Sequence, residues 1–201
     1  MPASKANLVR VETMDLHVAQ GTLLAAGPEL LDPNFMHAVV LIGEHTDQGA
    51  YGLVVNRRSA HTTRDVLSDD LTLGRLSVPI WIGGPVSLDT LQILHRAPER
   101  LSGGVEVAEG VWIGADLESL GQFAEEEPEE FARGVRLFLG YSGWSAGQLE
   151  GELALGTWLP APGSAERIFS DRPELLWRRV VRSLGRATEG LEEQPPDPAW
   201  N

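Results

Sequence analysis

The chain has 201 residues, 42% of them hydrophobic and 22% charged, which excludes wholesale disorder and allows a sizeable core. It has no cysteine, so disulfide scaffolds, thiolate metal sites and cysteine nucleophiles are excluded. Acidic residues outnumber basic ones by 29 to 16, and a net charge of −13 repels nucleic acid and anionic membranes at long range.

Residues 1–20 are polar and mixed and read as a flexible arm, without the apolar core of a leader. No stretch reaches the roughly 18 apolar residues of a membrane span, so the expected setting is the cytoplasm, with no membrane partner. Apolar, β-branched runs of strand length follow at 22–26, 38–42, 51–55, 78–82, 91–94, 105–107, 111–113, 135–139 and 157–159. The runs at 38–42 and 53–55 barely alternate, as expected of central strands covered on both faces. The short turn-rich segment between them predicts an antiparallel hairpin.

Helix signals are fewer. Asp32-Pro33 reads as an N-cap and first-turn proline, and Thr62 with Asp65 predicts a short capped helix through Leu67. Seven carboxylates without a base between Asp116 and Glu130 read as a solvated helix or loop face. Ser145 with Gln148 spells a capping box, and Asp171 with Glu174 opens a helix whose apolar stripe is Leu176, Trp177, Val180, Val181 and Leu184. Gly185 should end it. The tail from 188 to 201, with three prolines and four acids after Thr188, reads as disordered. The fold class is therefore α+β: a mixed, mainly antiparallel sheet or flattened β-barrel flanked by helices, formed by one domain over 21–187.

Ordered segments carry a resemblance. GTLLAAGP at 21–28, LDPNF at 31–35, EH at 44–45, GAYGLVVNR at 49–57, GGPV at 83–86 and LH at 94–95 come first. GYSGWSAGQLE at 140–150, EL at 152–153, WL at 158–159 and Trp177 complete the series. Together they resemble the YqgE/AlgH family of bacterial proteins over nearly the whole body. The resemblance implies one compact domain on a mixed sheet or flattened barrel. It carries no established activity, and one branch of the family is named for an effect on transcription of an exopolysaccharide pathway. Arg58 stands where that family usually has a proline, which adds a cation after Arg57.

Several positions bear on chemistry. Gly143-Trp144-Ser145-Ala146-Gly147 matches the nucleophile elbow G-x-S-x-G, but all five histidines precede Ser145, against the chain order of α/β-hydrolases. His45 or His95 is then the only type of base an esterase-like reading can use, and helix capping explains Ser145 more simply. Glu44, His45 and Asp47 are too few and too crowded for a metal site, so no cofactor or metal is expected. Gly83-Gly84-Pro85 reads as a tight turn rather than a phosphate nest. Asn56 suits a turn that bonds its own backbone, Arg57 has the planar fork that binds carboxylate or phosphate, and His95 serves equally as structure or ligand. Tyr141 and Trp144, with Trp158 and Trp177, suit either core or contact surface.

Candidate contact residues are thus Asn56, Arg57, His95, Tyr141 and Trp144. Six arginines between Arg167 and Arg186 face two acids, and Arg178, Arg182 and Arg186 share one helix face suited to an acidic partner. The expected function is a non-enzymatic binding or regulatory domain for a protein or small molecule, linked indirectly to transcription. The competing reading is a serine hydrolase using Ser145.

Overall fold

A computed structural model describes residues 18–67 and 72–185. Most of the expected arm, the acidic tail and Arg186 lie outside the described residues. Of the arm's last residues, Val18 is buried against the core and Gln20 Nε2 donates to the Glu106 carbonyl at 3.2 Å.

The strands are β1 (Leu23–Ala26), β2 (Val39–Thr46), β3 (Gly49–Val54), β4 (Arg58–Thr62), β5 (Pro79–Ile82), β6 (Val86–His95), β7 (Val105–Ala108), β8 (Val111–Ile113), β9 (Val135–Ser145) and β10 (Trp158–Ala161). The helices are α1 (Thr63–Val66), α2 (Thr72–Arg75), α3 (Leu117–Glu126), α4 (Pro128–Gly134), α5 (Gln148–Ala154), α6 (Ala165–Ile168) and α7 (Leu176–Ser183), the last preceded by a 3-10 turn at Pro173–Leu175. None of the described helices is long and apolar enough to cross a membrane.

The strand order is β10-β1-β2-β3-β9-β6-β8-β7, with β5 also on β9 and β4 outside β5. Every pair is antiparallel except β5 with β9, so the sheet is mixed and α+β is the class. The sheet stays open rather than closing into a barrel.

Strand β9 organises the molecule. Its first half pairs with β5 and β6, and its second half with β3. Gly140 sits at the changeover with φ +68°, and a Cβ there would stand 2.5 Å from the Gly84 carbonyl oxygen. Glycine is required on both counts. Because side chains alternate, β9 feeds two cores. Val135 and Leu137 join Ile80 and Ile93 under Leu120 and Phe123 of α3 and Phe131 of α4. Phe138 joins Trp81 and Leu94 in the larger core, which α7 seals with Leu176, Trp177, Val180 and Val181. A strand buried on both faces has few polar positions, which explains the unalternating runs.

Several expectations meet corrections. β4 has no apolar pattern because it is an exposed edge, and it escapes sequence reading. β2 and β3 form the expected hairpin, but the strands run on to Thr46 and Gly49, leaving a two-residue loop. Asp32 does hold the Asn34 N–H at 2.7 Å, yet only a turn follows. Thr62 and Asp65 form their capping pair, with the Thr62 N–H 2.7 Å from Asp65 Oδ2. Ser145 is no N-cap: it ends β9 opposite Gly49, and Gly147, at φ +74°, precedes α5. The final helix starts later than Asp171, because Ser170 Oγ takes the Arg172 N–H and a 3-10 turn intervenes.

Candidate functional site

The second half of β9 and the helix after it carry most of the residues singled out in the sequence. Across the sheet, His45 pairs with Ala50 and Ala50 with Trp144, while Thr46 pairs with Gly49 and Gly49 with Ser145. Directly paired residues share a face, so His45 lies on the Trp144 face and Ser145 on the other. The Ser145 hydroxyl donates to Gln148 Oε1 at 3.1 Å, and the Ser145 N–H donates to the same oxygen at 3.1 Å.

His45 is committed elsewhere. Nδ1 donates to the Val18 carbonyl and Nε2 to Glu150 Oε1, both at 2.7 Å. Two acceptors require two ring protons, so the ring is held as an imidazolium. The Val18 hydrogen bond, against some burial and with help from Glu150, raises the pKa of His45. The Glu150 carboxyl is held below its ordinary value by its own backbone N–H and by His45. A ring in this state has no lone pair to accept a serine proton.

His95 is the opposite case. It is fully buried; Nδ1 accepts the Ala97 N–H at 3.3 Å, and Nε2 donates to the Gly114 carbonyl at 3.1 Å. Burial lowers its pKa and keeps it neutral. It pairs with Val135, ten residues along β9 from Ser145, which is about 33 Å of strand. Neither histidine is brought to Ser145.

On the Trp144 face, one carboxylate gathers three donors. Glu152 Oε2 accepts the indole N–H of Trp144 at 2.9 Å and of Trp158 at 2.7 Å, and Oε1 accepts Gln148 Nε2 at 2.9 Å. The two indoles meet edge to face with centroids 5.8 Å apart. Glu152 escaped the chemical reading of the sequence, where it counted only within the EL motif of the resemblance; its place four residues after Gln148, one helical turn on, was the other signal.

The other face opens into a cleft of about 500 Å³ between β2, β7 and β8, whose walls include Glu44, Thr46, Tyr51, Val105, Val107 and Ile113. Tyr51 lies 5.3 Å, ring to ring, from Tyr141 and donates its hydroxyl to Gln92 Oε1 at 2.8 Å. Burial, reinforced by Tyr141, raises the Tyr51 pKa, so the phenol stays protonated. No group of three or more His, Asp or Glu stands together as metal ligands among the described residues.

Asn56 and Arg57 lie at the far end of the hairpin. Asn56 Oδ1 accepts the Val39 N–H at 2.8 Å and Nδ2 donates to the His37 carbonyl at 2.9 Å, so it fastens the neighbouring segment instead of its own turn. Arg57 donates to the Met36 carbonyl at 3.0 Å. On α7, Arg182 is exposed and Arg178 half-buried. Gly83 donates its N–H to the Leu139 carbonyl at 2.9 Å, as part of the backbone packing against β9.

The profile of the AlgH-like family matches residues 23–189. The chain belongs to the AlgH-like family. Among relatives, a UPF0301 protein of Chlorobaculum tepidum is 38% identical over 181 residues, covering 90% of this chain and 95% of the relative. One from Cytophaga hutchinsonii is 36% identical over 185 residues, covering 92% and 100%. The solution structure of the AlgH protein from Pseudomonas aeruginosa is similar, with a TM-score of 0.67, 31% identity, and coverage of 89% of this chain and 95% of that one. A crystal structure from Corynebacterium diphtheriae shares the fold, with a TM-score of 0.68 at 22% identity. The AlgH-like sheet thus places Tyr141 beside the cleft, and Trp144 and Ser145 on opposite faces of one strand.

Proposed function

We propose that residues 21–187 act as one non-enzymatic binding or regulatory domain whose ligand or protein partner engages the cleft side of the sheet. The observation that carries this reading is that both ring nitrogens of His45 are engaged, by the Val18 carbonyl and Glu150, on the face opposite Ser145. A cleft walled by valines, an isoleucine and a tyrosine, with Glu44 at its lip, suits a small and partly apolar ligand. Of the five candidate contacts, Tyr141 beside the cleft and Arg57 at the far end of the hairpin are half-exposed, which supports giving them, and not the three buried ones, direct contact. Asn56, His95 and Trp144 act from behind, holding backbone or indole in position. Arg178 and Arg182 of α7 offer an acidic protein a second contact, the form an indirect link to transcription would take.

A fluorophosphonate probe and a thermal-shift ligand screen test this together. The expected result is no Ser145-dependent labelling, with a stabilising compound whose effect is lost in Tyr141→Ala. Labelling that disappears in Ser145→Ala, or turnover that does so, overturns it in favour of the hydrolase.

A further inference from the structure

The register of the sheet's other half assembles arginines where the composition would not place them. Arg58 pairs with Trp81, Trp81 with Phe138, and Arg136, two residues before Phe138, pairs with Leu94. All therefore share one face, and Arg96 follows two residues after Leu94. The result is a ladder of cations and rings. The guanidinium carbons of Arg58 and Arg136 lie 5.1 and 4.1 Å from the Trp81 centroid; those of Arg136 and Arg96 lie 5.4 and 5.3 Å from that of Phe169.

Arg136 is 7% exposed and saturated from within, donating to the carbonyls of Val55, Ile168 and Ser170. Burial first, and Arg58 next, lower its pKa to about 10. Arg58 and Arg96 are exposed and donate no side-chain hydrogen bond to the described residues. None of the three has a carboxylate within ion-pair distance among the described residues. Asp171 is the acid whose charge reaches Arg136, while Arg179 adds another cation by donating to Ser170 Oγ at 3.3 Å.

Rings favour cations over their faces, which explains how the ladder holds together, but its charge is left uncompensated. In a chain of net charge −13 this is a local inversion of sign. A compact anion needs only the reach of the exposed arginines, with Asp171 the one acid whose charge is felt at Arg136. Planar guanidinium forks match tetrahedral phosphate oxygens, and the rings are already covered, which leaves none for stacking a base.

We propose that Arg58 and Arg96, backed by Arg136, form a binding site for the phosphoryl group of a small anion. The site goes beyond the cleft-side role above and uses none of its residues.

The full chain is titrated with inorganic phosphate, pyrophosphate and ATP by calorimetry and thermal shift, with chloride matched for ionic strength. Pyrophosphate is expected to bind and to stabilise, and Arg58→Gln or Arg96→Gln to weaken it about tenfold each, with Arg64→Gln, at an exposed arginine of α1, unchanged. Circular dichroism checks that the variants, altered only at exposed side chains, stay folded. Binding of phosphate and pyrophosphate as well as ATP identifies a free phosphoryl ligand; binding of ATP alone identifies a nucleotide. No binding by any of the three, binding untouched in both Gln variants, or retention only of a DNA oligonucleotide overturns the proposal. Each of these results leaves the fluorophosphonate test unaffected.

Discussion

The two halves of β9 solve the same problem with opposite signs. In the first half, the Arg136 cation is buried among three carbonyls and two rings, and its nearest charged neighbours include further arginines. In the second half, the Glu152 carboxylate receives two indole N–H groups and an amide, and Glu150 beside it is closed by His45. Both ions are satisfied by hydrogen bonds, the buried Arg136 and the half-buried Glu152 alike. In the second half Glu150 is also closed in charge, by His45, whereas Glu152 receives neutral donors only. A saturated hydrogen-bond shell and an ion pair are separate achievements, and among the described residues neither Arg136 nor Glu152 has the second.

The comparison breaks most sharply at Arg136. Arg136→Ala should lose about 3–5 kcal/mol in urea unfolding, because three carbonyls lose their donor and a void opens beneath Trp81 and Phe169. Arg136→Lys should retain part of this, since one ammonium cannot span the three acceptors. In the other half, Glu152→Ala should cost about 2–3 kcal/mol by orphaning two indole donors, with a change in tryptophan fluorescence. Glu152→Gln should cost less, its amide oxygen still accepting.

The two histidines sharpen the contrast through pH. The folded pKa of His45 lies above its ordinary 6.5, so its contribution is complete below 6.5 and is lost as pH rises through the folded value. Glu150 lies below its ordinary 4.5, so its contribution is present above 4.5 and is lost as pH falls through the folded value. The pair is therefore complete between those two ordinary values. His95, lowered by burial, behaves in reverse to His45: its contribution is complete above 6.5 and is lost as pH falls through its folded value. NMR titration should find His45 titrating above 6.5 and His95 below it, and His45→Gln should flatten the alkaline limb of the urea midpoint. The smallest effect is at Ser145. Ser145→Ala should change stability by no more than about 0.5 kcal/mol, since its hydroxyl bonds only the exposed Gln148.

Local chemistry was legible in the chain. The runs at 38–42 and 51–55 announced buried strands and their hairpin, Thr62 and Asp65 announced their cap, and the stripe from Leu176 to Val181 announced α7. These signals rest on residues within a few positions of each other, and that is the range over which propensity, capping and periodicity act. The elbow-like GWSAG misled because its glycines and serine look the same locally whether the strand ends before them or runs through them.

What the sequence by itself determined was most of the strands, the helices α1 and α7, and the family they belong to. The tertiary structure alone decided which side chains meet. Pairing of β2 with β3 and of β3 with β9 put His45 and Ser145 on opposite faces, and pairing of β4 with β5 and of β5 with β9 put Arg58 and Arg136 over the same indole. A shift of one residue in either register would exchange every face. Register is fixed by long-range packing of both cores at once, so no short stretch of the chain contains it.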